Sequence, residues 1–199
     1  MFPPAAMRFL SVLILAFGML LASCSEPANL NATDISGVDW GKDFALTDGN
    51  GQLRHIADFK GKAVVLFFGY TQCPDVCPTT LSAMRDTLKL MGTDATRVQV
   101  LFATLDPARD TPQLLAQYVP WFDPSFIGLW GDEQTIAAVA KDFKVFYAKQ
   151  PGKEPGSYSI DHSAASYVFD PQGRLRLTIR HGEAPERVAA DLKQLLAGK

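Results

Sequence analysis

The chain has 199 residues, and its 19 Lys and Arg against 21 Asp and Glu give a formal net charge of −2. This near balance offers no basic surface for a phosphate backbone, so the composition argues against nucleic acid as a partner. The part after Trp40, roughly 160 residues, is long enough for one well-buried core but short for two domains. We therefore predict a single folded domain.

The chain begins with the layout of an export signal. Arg8 is the only charged side chain before an apolar run over residues 9–22, and this run is shorter than the about 20 residues that a membrane-spanning helix needs. The run ends in Leu21-Ala22-Ser23-Cys24, which resembles the lipobox of bacterial lipoproteins, where a peptidase cuts before a cysteine that carries the lipid. The alternatives are an uncleaved anchor or an ordinary signal peptide with a chance cysteine.

This N-terminus predicts three segments. Residues 1–23 form a lipoprotein signal peptide, and lipidation of Cys24 anchors the chain on the periplasmic side of a bacterial membrane. Residues 24–37 form a flexible tether, because the segment is polar, includes Pro27 and lacks apolar periodicity. Residues 38–199 form the folded domain.

The first half of that domain alternates predicted strands and helices. Asp48-Gly49-Asn50-Gly51 separates two short apolar runs and predicts an N-terminal hairpin. The continuous apolar run over residues 63–68 is typical of a strand covered on both faces. A helix from about Thr79, a second buried strand over residues 98–105 and a helix starting near Asp110-Thr111-Pro112 follow.

The second half continues this order and then changes it. A strand over residues 126–130 precedes a helix that is capped by Asp132. Residues 145–160 contain two Pro-Gly pairs and predict a loop or an irregular hairpin. Residues 164–180 form the clearest hairpin of the chain, and a last helix starts near Pro185.

These elements describe an α/β fold in which a mixed sheet carries flanking helices and an N-terminal hairpin, which is the thioredoxin-like arrangement. Functional sites in open α/β sheets lie at the carboxyl ends of the strands. Cys73, Cys77 and the loop that starts at Asp106 all follow such strand ends. We therefore expect the functional site to be there.

Cys73 and Cys77 are the only thiols left if Cys24 is lipidated. A disulfide that closes so short a loop adds little stability, so the spacing favours a chemical role over a structural one. If Cys77 lies at a helix start, the helix dipole lowers its thiol pKa and favours the thiolate that binds metals. The alternative is a buried or disulfide-bonded pair without a chemical task.

Two thiolates do not complete a typical metal site, so a third ligand is expected elsewhere. His55 and His181 have no distinctive sequence context. His162 differs because it follows a long loop and immediately precedes a strand that is expected near the sheet centre. Its position alone leaves open whether it is a ligand.

Three motifs together resemble one known family. They are Gly69-Tyr70-Thr71-Gln72-Cys73-Pro74-Asp75-Val76-Cys77-Pro78, Asp106-Pro107-Ala108-Arg109-Asp110-Thr111-Pro112, and His162 ahead of Tyr167-Val168-Phe169-Asp170. The chain is similar, from about Val38 to its C-terminus, to the Sco/SenC family of copper proteins. In that family two cysteines and one histidine bind copper, and the protein assists assembly of the copper A centre of cytochrome c oxidase.

The resemblance implies that Cys73, Cys77 and His162 bind copper as Cu(I) or Cu(II). It also implies the copper A subunit of the oxidase as a partner, with a periplasmic copper donor or thiol reductant as a further one. Ligand chemistry agrees, because soft thiolates favour Cu(I) and an added imidazole makes Cu(II) tolerable. A structural zinc site would need a fourth protein ligand.

Four residues near these motifs are candidates for supporting the site. Asp75 either attracts cations or is only a loop acid. Asp106, Arg109 and Asp110 support the metal site or a partner surface, although helix capping is a sufficient explanation for Asp110 and its neighbour Thr111.

The same cysteine pair allows two functions. The first is a metallochaperone that hands copper to an oxidase subunit. The second is a thiol-disulfide oxidoreductase, an enzyme that uses Cys73 and Cys77 to keep the acceptor's cysteines reduced. A thiol peroxidase is disfavoured, because the Pro-x-x-x-Thr-x-x-Cys pattern of peroxiredoxins is missing.

Overall fold

The computed structural model describes residues 29–199. The predicted signal peptide, Cys24 and the first part of the predicted tether lie outside the described residues. Among the residues it does describe, the model has no helix whose length and apolar character would suffice to cross a membrane.

Within residues 29–199, ten strands form two sheets. Eight strands form one mixed sheet in the order β1-β10-β9-β4-β5-β6-β2-β3, and β7 pairs with β8 in a separate sheet of two strands. The strands are β1 (Thr33–Asp34), β2 (Leu46–Asp48), β3 (Leu53–Arg54), β4 (Ala63–Gly69), β5 (Val98–Thr104), β6 (Ile127–Trp130), β7 (Tyr147–Pro151), β8 (Tyr158–His162), β9 (Ser166–Phe169) and β10 (Leu175–Ile179).

The two central strands match the prediction from their apolar runs. Every residue of β4 and of β5 is buried, as expected for strands covered on both faces. The two strands are parallel, with Ala63 opposite Val98 and Gly69 opposite Thr104. Their carboxyl ends therefore meet at one edge of the sheet, where the cysteine loop begins.

Helices cover both faces of the large sheet. They are α1 (Val76–Met91), α2 (Pro112–Tyr118), α3 (Glu133–Asp142) and α4 (Pro185–Leu196). Apolar side chains of α1, α2 and α4 belong to one core layer, and those of α3 belong to the other, together with a short 3-10 helix at Ile56–Phe59. This is the predicted thioredoxin-like α/β architecture, with the N-terminal hairpin (β2 and β3) at one edge of the sheet.

The predicted flexible tether is wrong for its last part. Thr33 and Asp34 form β1, which pairs with β10. The buried Asp191 carboxylate of α4 accepts hydrogen bonds from the backbone N–H groups of Asn31 and Ala32, at 2.9 and 2.8 Å. The folded domain therefore begins before residue 38, because a helix side chain satisfies the backbone of this segment.

The segment with two Pro-Gly pairs is a hairpin, one of the two predicted alternatives. β7 and β8 pair antiparallel from Tyr147 opposite His162 to Pro151 opposite Tyr158. β8 ends on His162 itself. The hairpin thus carries the candidate histidine as a unit distinct from the large sheet.

Candidate metal centre

The two cysteines lie where β4 gives way to α1. β4 ends at Gly69 and α1 begins at Val76, so Cys73 lies in the connecting loop and Cys77 in the first turn of the helix. Cys77 is completely buried, whereas Cys73 is partly exposed, and both are free thiols. The backbone N–H of Cys77 donates to the Cys73 sulfur at 3.4 Å, which holds that sulfur over the helix start.

The His162 ring is oriented by its own neighbour in the chain. Its Nδ1 lies 2.9 Å from the backbone carbonyl oxygen of Ser163. A carbonyl oxygen only accepts hydrogen bonds, so Nδ1 carries the proton and the Nε2 lone pair is free. Nε2 lies 3.7 Å from the Cys77 sulfur, which places a nitrogen ligand beside a sulfur ligand.

The three predicted ligands converge. The sulfur atoms of Cys73 and Cys77 and a ring nitrogen of His162 all lie within 4.8 Å of one another, and residues 29–199 contain no other such group of Cys, His, Asp and Glu. Two sulfurs and one nitrogen suit copper, whereas a structural zinc site would need a fourth protein ligand. The arrangement can hold a single copper ion.

Burial sets the protonation of the buried ligands. It raises the pKa of the Cys77 thiol, which is opposite to the lowered pKa predicted from the helix start, because desolvation of the thiolate outweighs the favourable backbone contact. Burial also lowers the pKa of His162, so the neutral imidazole is favoured. A metal ion that binds Cys77 therefore has to displace a proton.

Gly69 leaves the space that the Cys77 sulfur occupies. A Cβ atom at this position would lie 2.7 Å from that sulfur and 2.8 Å from the ring of Phe102, both on other elements. This role was missed from the sequence. The available signal was a glycine placed directly between a buried strand and the cysteine loop.

Asp110 anchors the cysteine loop. Its completely buried carboxylate accepts from the backbone N–H and the hydroxyl of Thr71, at 3.0 and 2.5 Å, and from the hydroxyl of Thr104 at 2.6 Å. The prediction that Asp110 is a helix cap is wrong. Its neighbour Thr111 caps α2, by accepting from the backbone N–H of Leu114 at 3.2 Å.

Asp106 and Arg109 form an ion pair beside the site. The Asp106 carboxylate is completely buried and is bonded by Nε of Arg109 and by the hydroxyl of Tyr158, the latter at 2.7 Å. The Arg109 guanidinium lies 3.6 Å over the ring of Tyr158. Sequence analysis identified Asp106 and Arg109 as candidates for supporting the site, but it did not identify Tyr158 of β8 as their partner.

The remaining candidates lie outside the ligand cluster. Asp75 is exposed at the start of α1 and makes no side-chain capping bond. It lines an open groove of about 430 Å³ together with Cys73, Asp161 and His162. His55 pairs with Asp43 at 3.0 Å, and His181 lies 3.0 Å from the hydroxyl of Thr80, so neither histidine joins the cysteines.

The fold and the site define a class of protein: a thioredoxin-like domain with a two-cysteine, one-histidine metal centre at the carboxyl edge of its sheet. Residues 32–197 match the SCO1/SenC family model, and the chain belongs to that family. An SCO2-like protein of Rickettsia felis is 38% identical over 157 residues, which cover 78% of this chain and 77% of the relative. The mitochondrial SCO2 homolog of Bos taurus is 36% identical over 78% of this chain and 59% of its own.

Solved structures of the family share the fold. Bradyrhizobium japonicum ScoI with copper bound is 43% identical and superposes with a TM-score of 0.70, over 77% of this chain and 97% of that one. Yeast Sco1 with copper bound is 29% identical with a TM-score of 0.73, over 81% of this chain and 91% of that one. The predicted fold and the predicted family are thus confirmed.

Proposed function

We propose that this protein is a copper metallochaperone that binds Cu(I) or Cu(II) through Cys73, Cys77 and His162 and assists assembly of the copper A centre of cytochrome c oxidase. The convergence of these three ligand atoms within 4.8 Å carries the proposal. Membership of the SCO1/SenC family and the copper-bound neighbours support it.

The ligand set serves both oxidation states of copper. The two thiolates suit Cu(I), and the neutral imidazole of His162 adds the harder nitrogen that Cu(II) requires. The Ser163 carbonyl holds the His162 ring with Nε2 towards the cysteines, so the ligand does not need to reorient when copper binds. The copper ion is the cargo of the protein, and binding replaces the proton of the buried Cys77 thiol.

The unequal burial of the cysteines gives the transfer a direction. Cys77 is completely buried, while Cys73 is partly exposed and lines the open groove. A thiolate of the acceptor reaches the copper ion from that groove. We infer that Cys73 is the first ligand that the acceptor replaces and that Cys77 is the last to release the ion.

Copper stoichiometry tests the site directly. The reduced domain without residues 1–23 should bind about one copper ion per monomer. Ser in place of Cys73 or Cys77 should remove tight binding, whereas His162→Ala should keep weaker Cu(I) binding and lose most Cu(II) binding. The matched control is the double variant His55→Ala, His181→Ala, which should bind normally. Undiminished binding by Cys77→Ser would rule out this site.

The adjacent thiols also favour a second function, a thiol-disulfide oxidoreductase. Both cysteines are free and their sulfurs lie within 4.8 Å, so two electrons and two protons can leave as the pair forms a disulfide and an acceptor disulfide is reduced. Bound Cu(I) should stabilise the dithiol and therefore raise the midpoint potential of the pair. A potential that is the same with and without a Cu(I) buffer would separate the metal chemistry from the redox chemistry.

The lipid anchor at Cys24 and the periplasmic location complete the proposal. A SCO1/SenC family lipoprotein from Bacillus anthracis, 25% identical to this chain, supports the anchor. Mass spectrometry of the mature protein should find Cys24 as the N-terminal residue with lipid attached. A mature chain that still begins with Met1 would contradict it.

A further inference from the structure

The two halves of the metal centre belong to separately built parts of the fold. Cys73 and Cys77 follow β4 of the large sheet, whereas His162 ends the two-stranded sheet of β7 and β8. No ladder of backbone hydrogen bonds joins β8 to the large sheet in the described part of the chain. Apart from the three-residue link from His162 to β9, which pairs with β4, side-chain contacts therefore set the distance between the histidine and the cysteines.

Arg109 joins the two halves. Its Nη1 donates to the side-chain oxygen of Gln72 in the cysteine loop and to the backbone oxygen of Tyr158 in β8, both at 3.0 Å. Its Nε bonds Asp106, and its guanidinium stacks on the Tyr158 ring. One side chain thus contacts the cysteine loop, the histidine strand and the loop after β5.

The edge of β8 that faces away from β7 is held at two points. The carbonyl of Tyr158 accepts from Arg109, and the backbone N–H of Ile160 donates to the hydroxyl of Tyr70 at 3.3 Å. Residues two apart in a strand direct their backbone groups to the same side, so both bonds act on one edge. His162 is the next residue in that register.

We call the contacts of Arg109 with Gln72, Asp106 and Tyr158 the clamp. Their chemistry requires an arginine. The planar guanidinium donates in several directions and stacks on an aromatic ring at once, which an ammonium group cannot do. Asp106 is completely buried, so the loss of its cationic partner leaves a buried carboxylate without charge compensation. The contact is therefore specific to Arg109 and costly to break.

We propose that Arg109 is a positioning residue that holds His162 against Cys73 and Cys77, and that it thereby sets the Cu(II) affinity of the site. The proposal rests on the proposed copper function. Cu(I) binding depends mainly on the two thiolates, which stay in place through Asp110 and Thr71. Loss of the clamp therefore affects Cu(II) selectively.

The decisive variants are Arg109→Met and Arg109→Lys in the reduced domain without residues 1–23. Arg109→Met should weaken Cu(II) binding about tenfold to a hundredfold, the range typical for lost support of a metal ligand, and should alter the Cu(II) electron paramagnetic resonance spectrum. Cu(I) affinity should change by less than about threefold. Arg109→Lys should bind Cu(II) more tightly than Arg109→Met but less tightly than the wild type. Lysine keeps the positive charge but lacks the planar guanidinium with its several directed N–H donors.

A double-mutant cycle shows whether Arg109 acts through His162. In the His162→Ala background, Arg109→Met should cause no further loss of Cu(II) affinity. The matched control is Arg97→Met, because Arg97 also joins two elements, pairing with Asp94 and donating to the carbonyl of Leu196, at the opposite edge of the sheet. This variant should leave both copper affinities unchanged.

Two further measurements keep the proposal testable if Arg109→Met does not fold or the protein binds no copper. Gln72→Ala removes the exposed half of the clamp without exposing Asp106 and should lower Cu(II) affinity by a smaller factor. Hydrogen exchange of the Ile160 amide in the metal-free protein should be faster in Arg109→Lys than in the wild type.

Three outcomes would overturn the clamp. They are unchanged Cu(II) affinity in folded Arg109→Met, equal losses for Cu(I) and Cu(II), and an additive loss in the His162→Ala background. A wild-type domain that binds no copper would instead contradict the proposed function. In that case the exchange of the Ile160 amide still decides whether Arg109 fixes β8.

Discussion

Because Gly69 has no side chain, there is room beside it for the sulfur of the buried ligand Cys77. Ala at this position would place Cβ 2.7 Å from the Cys77 sulfur, so the sulfur or the strand has to move. We predict that Gly69→Ala lowers the free energy of unfolding by about 1–3 kcal/mol, the usual cost of overpacking, and also weakens the copper affinity of the folded protein, because the Cys77 sulfur is displaced. Urea unfolding and a Cu(I) competition assay measure the two effects.

The control for this prediction is Gly128→Ala. A Cβ at Gly128 would lie 2.8 Å from the Cβ of Leu115 in the core layer under α2, away from the metal ligands. This variant should lose similar stability and keep wild-type copper affinity once folded. If both variants bind copper equally well, Gly69 has no special relation to Cys77.

Protons compete with copper at Cys77. Burial raises the pKa of this thiol, so it is protonated near neutral pH and releases a proton when copper binds. We predict that Cu(I) affinity increases with pH between 6 and 8, by about tenfold per pH unit for each proton released. The lowered pKa of His162, which burial causes, weakens proton competition at that ligand.

The measurement is a Cu(I) competition titration at three pH values, corrected for protonation of the competing chelator. The residual binding of Cys77→Ser should depend less steeply on pH, because that proton is no longer displaced. An affinity that is flat from pH 6 to 8 would show that Cys77 is already a thiolate or is not a ligand.

Local spacing and strand order predicted Cys73 and Cys77 as ligands, whereas the position of His162 left its role open and only the family resemblance implied it. Cys73 and Cys77 follow a buried strand, and His162 precedes another. Their use as copper ligands stays a prediction until copper binding is measured. Arg109 was marked only as possible support, because its contacts with Gln72 and Tyr158 join residues that are far apart in sequence and follow no periodic pattern.

At the scale of elements, strand order and helix positions were predictable and the hairpin geometry was not. Buried runs define β4 and β5 whatever their surroundings. β7 and β8 contain mostly exposed or half-buried residues and flank two Pro-Gly pairs. Contacts with Tyr70 and Arg109 also hold the other edge of β8, and a local pattern does not encode these contacts.

The neighbouring residues Asp110 and Thr111 have different roles. Thr111 caps a helix, and Asp110 anchors the cysteine loop. Thr111 caps α2, so Thr111→Ala should lower the free energy of unfolding by about 1 kcal/mol and leave copper affinity unchanged. Asp110 accepts three hydrogen bonds from Thr71 and Thr104. Asp110→Asn substitutes a donor for one acceptor oxygen there, and should weaken both Cu(I) and Cu(II) binding by displacing the cysteine loop.

Thermal unfolding and copper titrations of the two variants provide the comparison. Each variant is the other's control, since the residues are adjacent and the substitutions differ only in which segment they release. Loss of copper affinity in Thr111→Ala, or its retention in a folded Asp110→Asn, would reverse these assignments.

Across the whole molecule, the N-terminal segment and the metal centre lie at opposite ends of α4. The helix starts near the carboxyl edge of the sheet, where His181 contacts Thr80 of α1, and ends at Leu196 beside Arg97, at the amino end of β5. Gln194, in its last turn, donates to the carbonyl of Asn29 at 2.9 Å. The described chain therefore begins at the end remote from the cysteines.

This arrangement bears on the proposed anchor. Four residues separate Cys24 from Asn29, so the five Cα–Cα steps between them reach about 18 Å at most, which is much shorter than a tether that extends to residue 37. A lipid on Cys24 would then hold the domain close to the membrane, with the metal centre at the far end. The sequence could not predict this, because Asp191 lies 160 residues from Asn31, its partner.

Asp191 is the residue that keeps the tether short. Its carboxylate accepts from the backbone N–H groups of Asn31 and Ala32 and from the Asn31 side chain. We predict that Asp191→Ala releases this segment and speeds amide hydrogen exchange at Asn31 and Ala32 by at least about tenfold, since their backbone donors lose a buried acceptor.

The matched control is Asp142→Ala, because Asp142 makes the same kind of bond, 3.1 Å, to the N–H of Gly41. That variant should speed exchange at Gly41 and leave Asn31 and Ala32 protected. Copper affinity should be unchanged in both, because neither carboxylate contacts the metal ligands. Equal protection of Asn31 and Ala32 in wild type and Asp191→Ala would mean that pairing of β1 with β10 alone holds the segment.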